Sequence, residues 1–301
     1  MLKSSENVSK ADLHVYSKYS NRPRQWFLRR IGAPESFMEP TDIYSLSKKV
    51  GMNYVTITDH NTIQGSLDIA HLPDTFISSI LTTYFPEDGC KIYCIVLGIS
   101  ASQFEDMQHL RENIYDLQKY MVTNQLVHSI AHPLYQINNR LSVHHFEKLI
   151  LLFKSFQAIN GIRDQRACKI STTILENITP ALIEELSNRH DIKPVSDEPW
   201  KKYFIGGSND IGGLFIGSAY TTTPHTDSVE EYLGYLQNGF YKAAGEDGTS
   251  IRFASSMYRV LYQFYRKNFL PPGKEDRTLI GNFLKRFAEV NDQKKKRSFP
   301  S

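Results

Sequence analysis

Residues 53–61 read Asn-Tyr-Val-Thr-Ile-Thr-Asp-His-Asn. The run from Tyr54 to Thr58 is β-branched and apolar, then stops at two chemically able side chains, Asp59 and His60. That composition predicts a buried strand over Asn53–Thr58 with polar groups at its C-terminal end. Before it, Glu39–Val50 reads as a helix, with Pro40 near its start and Gly51 just past its end. A helix feeding a strand that ends in an acid and a histidine is the repeating unit of α/β folds.

The same unit recurs outward from this stretch. Ala11–His14, Phe76–Ile80, Val127–Ala131, Phe156–Ile159 and Tyr203–Gly207 read as strands. Leu81–Tyr84 and Lys91–Gly98 flank Pro86-Glu87-Asp88-Gly89, a turn, and predict a hairpin extension. Helical periods cover residues 102–123, the stretch from Ser142 to Phe153, two helices within 164–190, and Asp227–Gln237. Ser142 and Thr179 are N-cap types, Pro180 suits the first helical position, and Gly239 closes the last helix. About seven strands separated by helices predict a parallel sheet, either a (β/α) barrel or a doubly wound sheet.

After Gly245 the pattern changes. Ile251–Phe269 and Leu279–Val290 carry helical apolar spacing, joined through Pro271-Pro272-Gly273. The expected organisation is a body over 1–245, a helical C-terminal extension over 246–290, and a disordered basic tail over 291–301.

Composition narrows the function classes. The 301 residues carry 35 Lys+Arg against 32 Asp+Glu, a formal charge of +3, with 41% hydrophobic residues. This suits a globular chain with a substantial core. No run of about 18 apolar residues is present, so no membrane span is expected. Cys90, Cys94 and Cys168 make neither a disulfide framework nor a four-thiolate zinc site. The reading is a reduced, cytoplasmic protein. A charge of +3, much of it in Lys294–Arg297, gives nucleic acid no support as a partner.

The polar residues gather at strand ends. His14, Asp59, His60, His132 and Asn160 each follow a predicted strand, and Asp210 follows Gly207 by three. In α/β folds, sites collect at the C-terminal ends of strands. A lone histidine is weak evidence. A set at successive strand ends predicts one shared mouth.

These residues also carry a resemblance. Asp12-Leu13-His14-Val15-Tyr16-Ser17, Ile57-Thr58-Asp59-His60-Asn61, Ala131-His132-Pro133 and Gly207-Ser208-Asn209-Asp210 resemble, in order, the motifs of the PHP (polymerase and histidinol phosphatase) superfamily. The similarity covers roughly residues 11–245. The stretch over 17–37 and the turn over 84–91 resemble a subgroup found beside glycosyltransferases. The resemblance implies a distorted (β/α)7 barrel of PHP type. It implies divalent ions (Zn, Mn or Fe) and phosphoester hydrolysis. It assigns metal-ligand positions to His14, His60, His132, Asp210 and Asp12, with Asp59 and His60 as the catalytic pair.

Departures from the family pattern are as informative. Its first motif ends in His where this chain has Tyr16. A bridging Glu is expected near Ser79-Ile80, a His at Tyr93, and a His near Ile211. Ile80 and Ile211 offer no lone pair, and a phenol with pKa about 10 is a poor ligand at neutral pH. Without the bridging carboxylate, the repulsion between two close cations is poorly compensated. The expectation is a degenerate site holding fewer ions than its relatives, or none, with hydrolysis weak or lost. One alternative is an active hydrolase using a single residual ion on His14, Asp210 and either His60 or His132. Another is a binding or regulatory module for a phosphorylated ligand or a glycosyltransferase partner.

Arg22, Arg24, Arg29 and Arg30 follow the first motif, interleaved with Trp26 and Phe27. Guanidinium groups bind phosphate bidentately. These arginines are the candidate binding set for a phosphorylated small molecule or a nucleotide-sugar-related ligand, against the alternative of a solvated basic face. His144 and His145, early in a helix, read as structural rather than as ligands.

Overall fold

The computed structural model describes residues 8–270 apart from 22, 24 and 164. The candidate arginines Arg22 and Arg24, the helix expected over Leu279–Val290 and the basic tail lie outside the described residues. The described chain is mixed α/β. Its strands are β1 (Val8–Ala11), β2 (Ser78–Phe85), β3 (Cys90–Leu97), β4 (Val127–Ala131), β5 (Ser155–Asn160), β6 (Tyr203–Gly207), β7 (Ala219–Pro224) and β8 (Lys242–Gly245). Its helices are α1 (Trp26–Ile31), α2 (Pro40–Lys49), α3 (Gln64–Ile69), α4 (Ala101–Leu110), α5 (Ile114–Thr123), α6 (Val143–Leu152), α7 (Gln165–Glu176), α8 (Pro180–His190), α9 (Val229–Gln237) and α10 (Ser250–Phe269).

The strands pair as two sheets, β2-β3-β4-β5-β6 and β1-β7-β8. The expectation of a parallel sheet holds only for β4-β5 and β5-β6. The β2-β3 and β3-β4 pairs are antiparallel. The reason for the first is local: β2 and β3 are joined by a short turn, with Phe85 opposite Cys90, and a connection that short permits only antiparallel pairing. The hairpin is therefore as expected, except that Phe76–Ile80 and Leu81–Tyr84 are not separate strands; residues from Ser78 run on as β2.

The Asn53–Thr58 strand is corrected as well. It is extended and buried from Tyr54 to Asp59, but its ladder is reduced to single parallel bridges, Ala11–Tyr54 and Val55–Thr75. Threonine hydroxyls supplement the backbone bonds to Lys10, Val15, Asp74 and Phe76. Thr56 Oγ1 donates to the Phe76 carbonyl at 2.7 Å, and Thr58 Oγ1 accepts from the Val15 amide at 3.0 Å. Further bridges, His60–Ile80 and Val15–Asp210, tie the two sheets together, but the ladders do not close into one ring among the described residues.

Local chemistry sets the helix ends. Residues 102–123 break into α4 and α5 because Asn113 caps the second, its side chain accepting from the Tyr115 amide. Ser142 forms a capping box with His145, contributing on the order of 1 kcal/mol to α6. Thr179 caps α8 with Pro180 behind it.

The largest core cluster lies between the five-stranded sheet and its helices, with Leu81, Val96, Leu117, Leu149 and Phe156 fully buried or nearly so. A second cluster joins Tyr16, Ile80, Tyr93 and Ile211 to Met257 and Val260 of α10. The C-terminal helix is thus built into the core behind the predicted mouth. Trp26 of α1 is 69% exposed, whereas Leu28 is fully buried, so the aromatic pair of that loop is not wholly packed beneath its arginines. Arg29 and Arg30 are exposed in the last turn of α1.

Candidate functional site

The structure brings His14, His60 and His132 together with two tyrosines. Ring centroids are 5.1 Å apart for His14–His132, 5.2 Å for His14–Tyr16, 5.0 Å for Tyr16–His60 and 4.8 Å for His60–Tyr93. His14 is fully buried and Tyr16 almost so. The positions come from a close approach of two strand ends. A Cβ on Gly207 would lie 2.4 Å from the Cβ of His14, so only glycine lets β6 pass this side chain.

Hydrogen bonds fix the histidine tautomers. Gln157 Nε2 donates weakly to the carbonyls of Ile159 and Gly207 at 3.4 and 3.5 Å, which turns its Oε1 toward His14 Nδ1 at 3.3 Å. Nδ1 therefore carries the proton, and the Nε2 lone pair accepts the Tyr16 hydroxyl at 2.8 Å. Asn160 Oδ1 accepts from the amides of Ile162 and Arg163, so its Nδ2 donates to His132 Nδ1 at 3.1 Å. That uses the Nδ1 lone pair and leaves the proton of a neutral His132 on Nε2. His132 itself adopts φ 52°, a left-handed conformation costing a β-carbon residue roughly 1–2 kcal/mol. His60 Nε2 lies 3.6 Å from Glu35 Oε2, and Glu35 is 3% exposed.

The acids are committed to the backbone. Asp12 accepts from the amides of His14, Ser208 and Gly217 at 3.2, 2.8 and 2.8 Å. Asp59 accepts from the Ser17 amide and hydroxyl and from the Ser20 hydroxyl. Asp210 accepts from the amides of Gly213 and Phe215. Burial nevertheless pushes Asp12 up to about 7 and Asp59 up to about 6, the hydrogen bonds offsetting part of that rise.

A metal ligand must present a lone pair, at about 2.0–2.2 Å for zinc. His14 Nε2 faces the Tyr16 hydroxyl and His132 Nδ1 faces Asn160, while the three aspartates accept from loop amides and hydroxyls. Ile80 and Ile211 are buried among apolar side chains. Among the described residues, the three-membered group of metal-type donors within 4.8 Å of one another is His144, Glu147 and His190, on α6 and α8.

Beside the histidines opens a cavity of about 250 Å³, lined by His132, Tyr135, Arg163, Cys168, Ser250 and Phe253 among others. Arg163 lies over the rings of Tyr135 and Phe253, at 4.6 and 5.2 Å. The sequence reading missed Arg163, Glu35, Gln157 and Phe253. Arg163 had a readable signal, since it follows Asn160 by three. Phe253 had none, because only tertiary packing brings α10 there.

No family model matches the chain. An uncharacterized protein of Methanocaldococcus jannaschii is 43% identical over 67 residues, which are 22% of this chain; the match spans 37% of that relative's length. The solved structure of PsfC from Pseudomonas syringae PB-5123 is similar at a TM-score of 0.51, over 84% of this chain and 98% of that one, with 12% identity. This is a likeness of fold. An amidohydrolase from Chromobacterium violaceum aligns at a TM-score of 0.40 and 12% identity, over 75% of this chain and 96% of its own. A candidate metal-dependent phosphoesterase from Bifidobacterium adolescentis aligns at 0.37 and 14%, over 66% and 86%. Among the described residues, no helix is long and apolar enough to cross a membrane.

Proposed function

We propose that this chain is a PHP-type protein, a distorted barrel roofed by its C-terminal helix, whose mouth binds a phosphorylated small molecule and has lost the family's multi-ion hydrolysis. The observation that carries the reading is the 2.8 Å hydrogen bond from Tyr16 to His14 Nε2. It places a phenol on the atom that a metal would need. The bridges between the two sheets and the sequence motifs support the barrel assignment. Arg163 and the His132 Nε2–H offer donors of the kind a phosphate accepts, and Tyr135 and Phe253 supply apolar walls for the organic group. Arg29 and Arg30, with Arg22 and Arg24, remain the candidate outer contacts, and a glycosyltransferase the candidate partner.

Two measurements test this on one sample. Elemental mass spectrometry after growth with Mn, Fe and Zn gives metal that is unaffected by His14→Ala. Phenyl phosphate binds by calorimetry and is not turned over. Hydrolysis above background that disappears in both His14→Ala and Asp210→Asn would overturn the reading in favour of a one-ion hydrolase.

A further inference from the structure

Away from the cluster of strand-end histidines, α6 and α8 pack side by side and place three donors together. His144 and Glu147 are one helical turn apart on α6, and His190 ends α8. Glu147 Oε2 lies 3.3 Å from His144 Nδ1 and 2.7 Å from His190 Nε2. A tetrahedral zinc ion with ligands at about 2.0–2.2 Å needs donor pairs about 3.3–3.6 Å apart. The His144–Glu147 pair already has that spacing, and the His190–Glu147 pair needs to open by well under 1 Å.

The carboxylate is oriented for this. Its other oxygen, Oε1, accepts from Arg189 at 2.6 Å, which fixes the plane and turns Oε2 toward the histidines. Arg189 also pairs with Glu185, so the guanidinium charge is offset and the group keeps one net negative charge for a cation. Glu147 and His190 side chains are 14% and 7% exposed, while His144 is 72% exposed, so the fourth position faces water. The donors sit on two helices, which limits their motion.

We propose that His144, Glu147 and His190 form a zinc site that clips α6 to α8, with a water as fourth ligand. The set of two imidazoles and one carboxylate suits zinc rather than magnesium or calcium. It is independent of the histidines at the strand ends.

The test is calorimetric titration of the full chain with zinc chloride after removal of bound metal by a chelator, beside thermal unfolding with and without zinc. One equivalent binds with a Kd tighter than about 10 µM, and the unfolding midpoint rises by several degrees. His144→Ala, at an exposed position, weakens binding by about 10–100-fold, as does Glu147→Gln, which preserves the side chain's shape. Circular dichroism confirms that both variants are folded. The proposal is overturned if wild-type binding is weaker than about 10 µM, or if both variants bind as tightly as wild type.

Discussion

His14 and Tyr16, two residues apart on one extended segment, point their polar ends at each other, with Nε2 and the phenol oxygen 2.8 Å apart in a fully buried setting. The proposed loss of hydrolysis rests on this contact. Tyr16→Phe removes the donor and leaves a buried lone pair, which costs about 1–3 kcal/mol. The expected result is a lower unfolding midpoint and no gain of metal at the mouth, read by differential scanning calorimetry and elemental analysis.

Introducing together the residues that the PHP resemblance leads one to expect (Tyr16→His, Ile80→Glu, Tyr93→His, Ile211→His) supplies lone pairs and a bridging charge at the proposed mouth. This variant is expected to bind Mn²⁺ and hydrolyse p-nitrophenyl phosphate above the wild-type level. Ile80→Glu alone places an unpaired carboxylate in the core and costs about 3–5 kcal/mol. Chemical denaturation with and without Mn²⁺ separates the two effects, since only the combined variant is stabilised by the ion.

At Gly207 the prediction is steric. A methyl there meets His14 at 2.4 Å, with backbone nearby at 2.9 Å, so neither side can yield cheaply. Gly207→Ala is expected to cost about 1–3 kcal/mol. Its histidine Cε1–H resonance for His14 shifts by NMR as the ring moves.

The pH dependence follows from burial. Asp12 and Asp59 are raised, to about 7 and about 6, above their unfolded values near 4. A raised acid holds its proton more tightly when folded. Its contribution is fully present below about pH 4 and is lost as pH rises through 6 to 7. The unfolding midpoint should therefore fall between about pH 4 and about pH 7 on account of these groups. Asp12→Asn, which does not titrate, flattens that slope.

The cavity gives a binding prediction. Arg163→Ala removes the guanidinium held between Tyr135 and Phe253, and phenyl phosphate affinity should fall about tenfold or more. Phe253→Ala should weaken phenyl phosphate while leaving inorganic phosphate nearly unchanged. Equal loss of both ligands in Phe253→Ala would show that the ring holds the arginine rather than the organic group.

Much of the fold was legible because it is local. The strands Val127–Ala131 and Tyr203–Gly207 appear with the expected bounds, as do the caps at Ser142 and Thr179 and the hairpin at Pro86–Gly89. The strands β7 and β8 were missed, although the Tyr220-Thr221-Thr222-Thr223 run of β7 is rich in strand-forming residues. β7 pairs with β1, more than 200 residues earlier. The Asn53–Thr58 run has strand composition, but its backbone bonds to Lys10, Val15, Asp74 and Phe76 are too scattered to make a continuous ladder, and the hydroxyls of Thr56 and Thr58 add to them.

The sequence by itself determined which polar residues stand at the ends of apolar runs, because that is a matter of residue type and order. Tertiary structure alone decided where each lone pair goes. That Asp12 holds two distant loops and that His190 meets His144 and Glu147 depend on contacts across tens to hundreds of residues. Hydrogen-bond direction is set by distance and angle over a few tenths of an ångström, and no pattern along the chain encodes that.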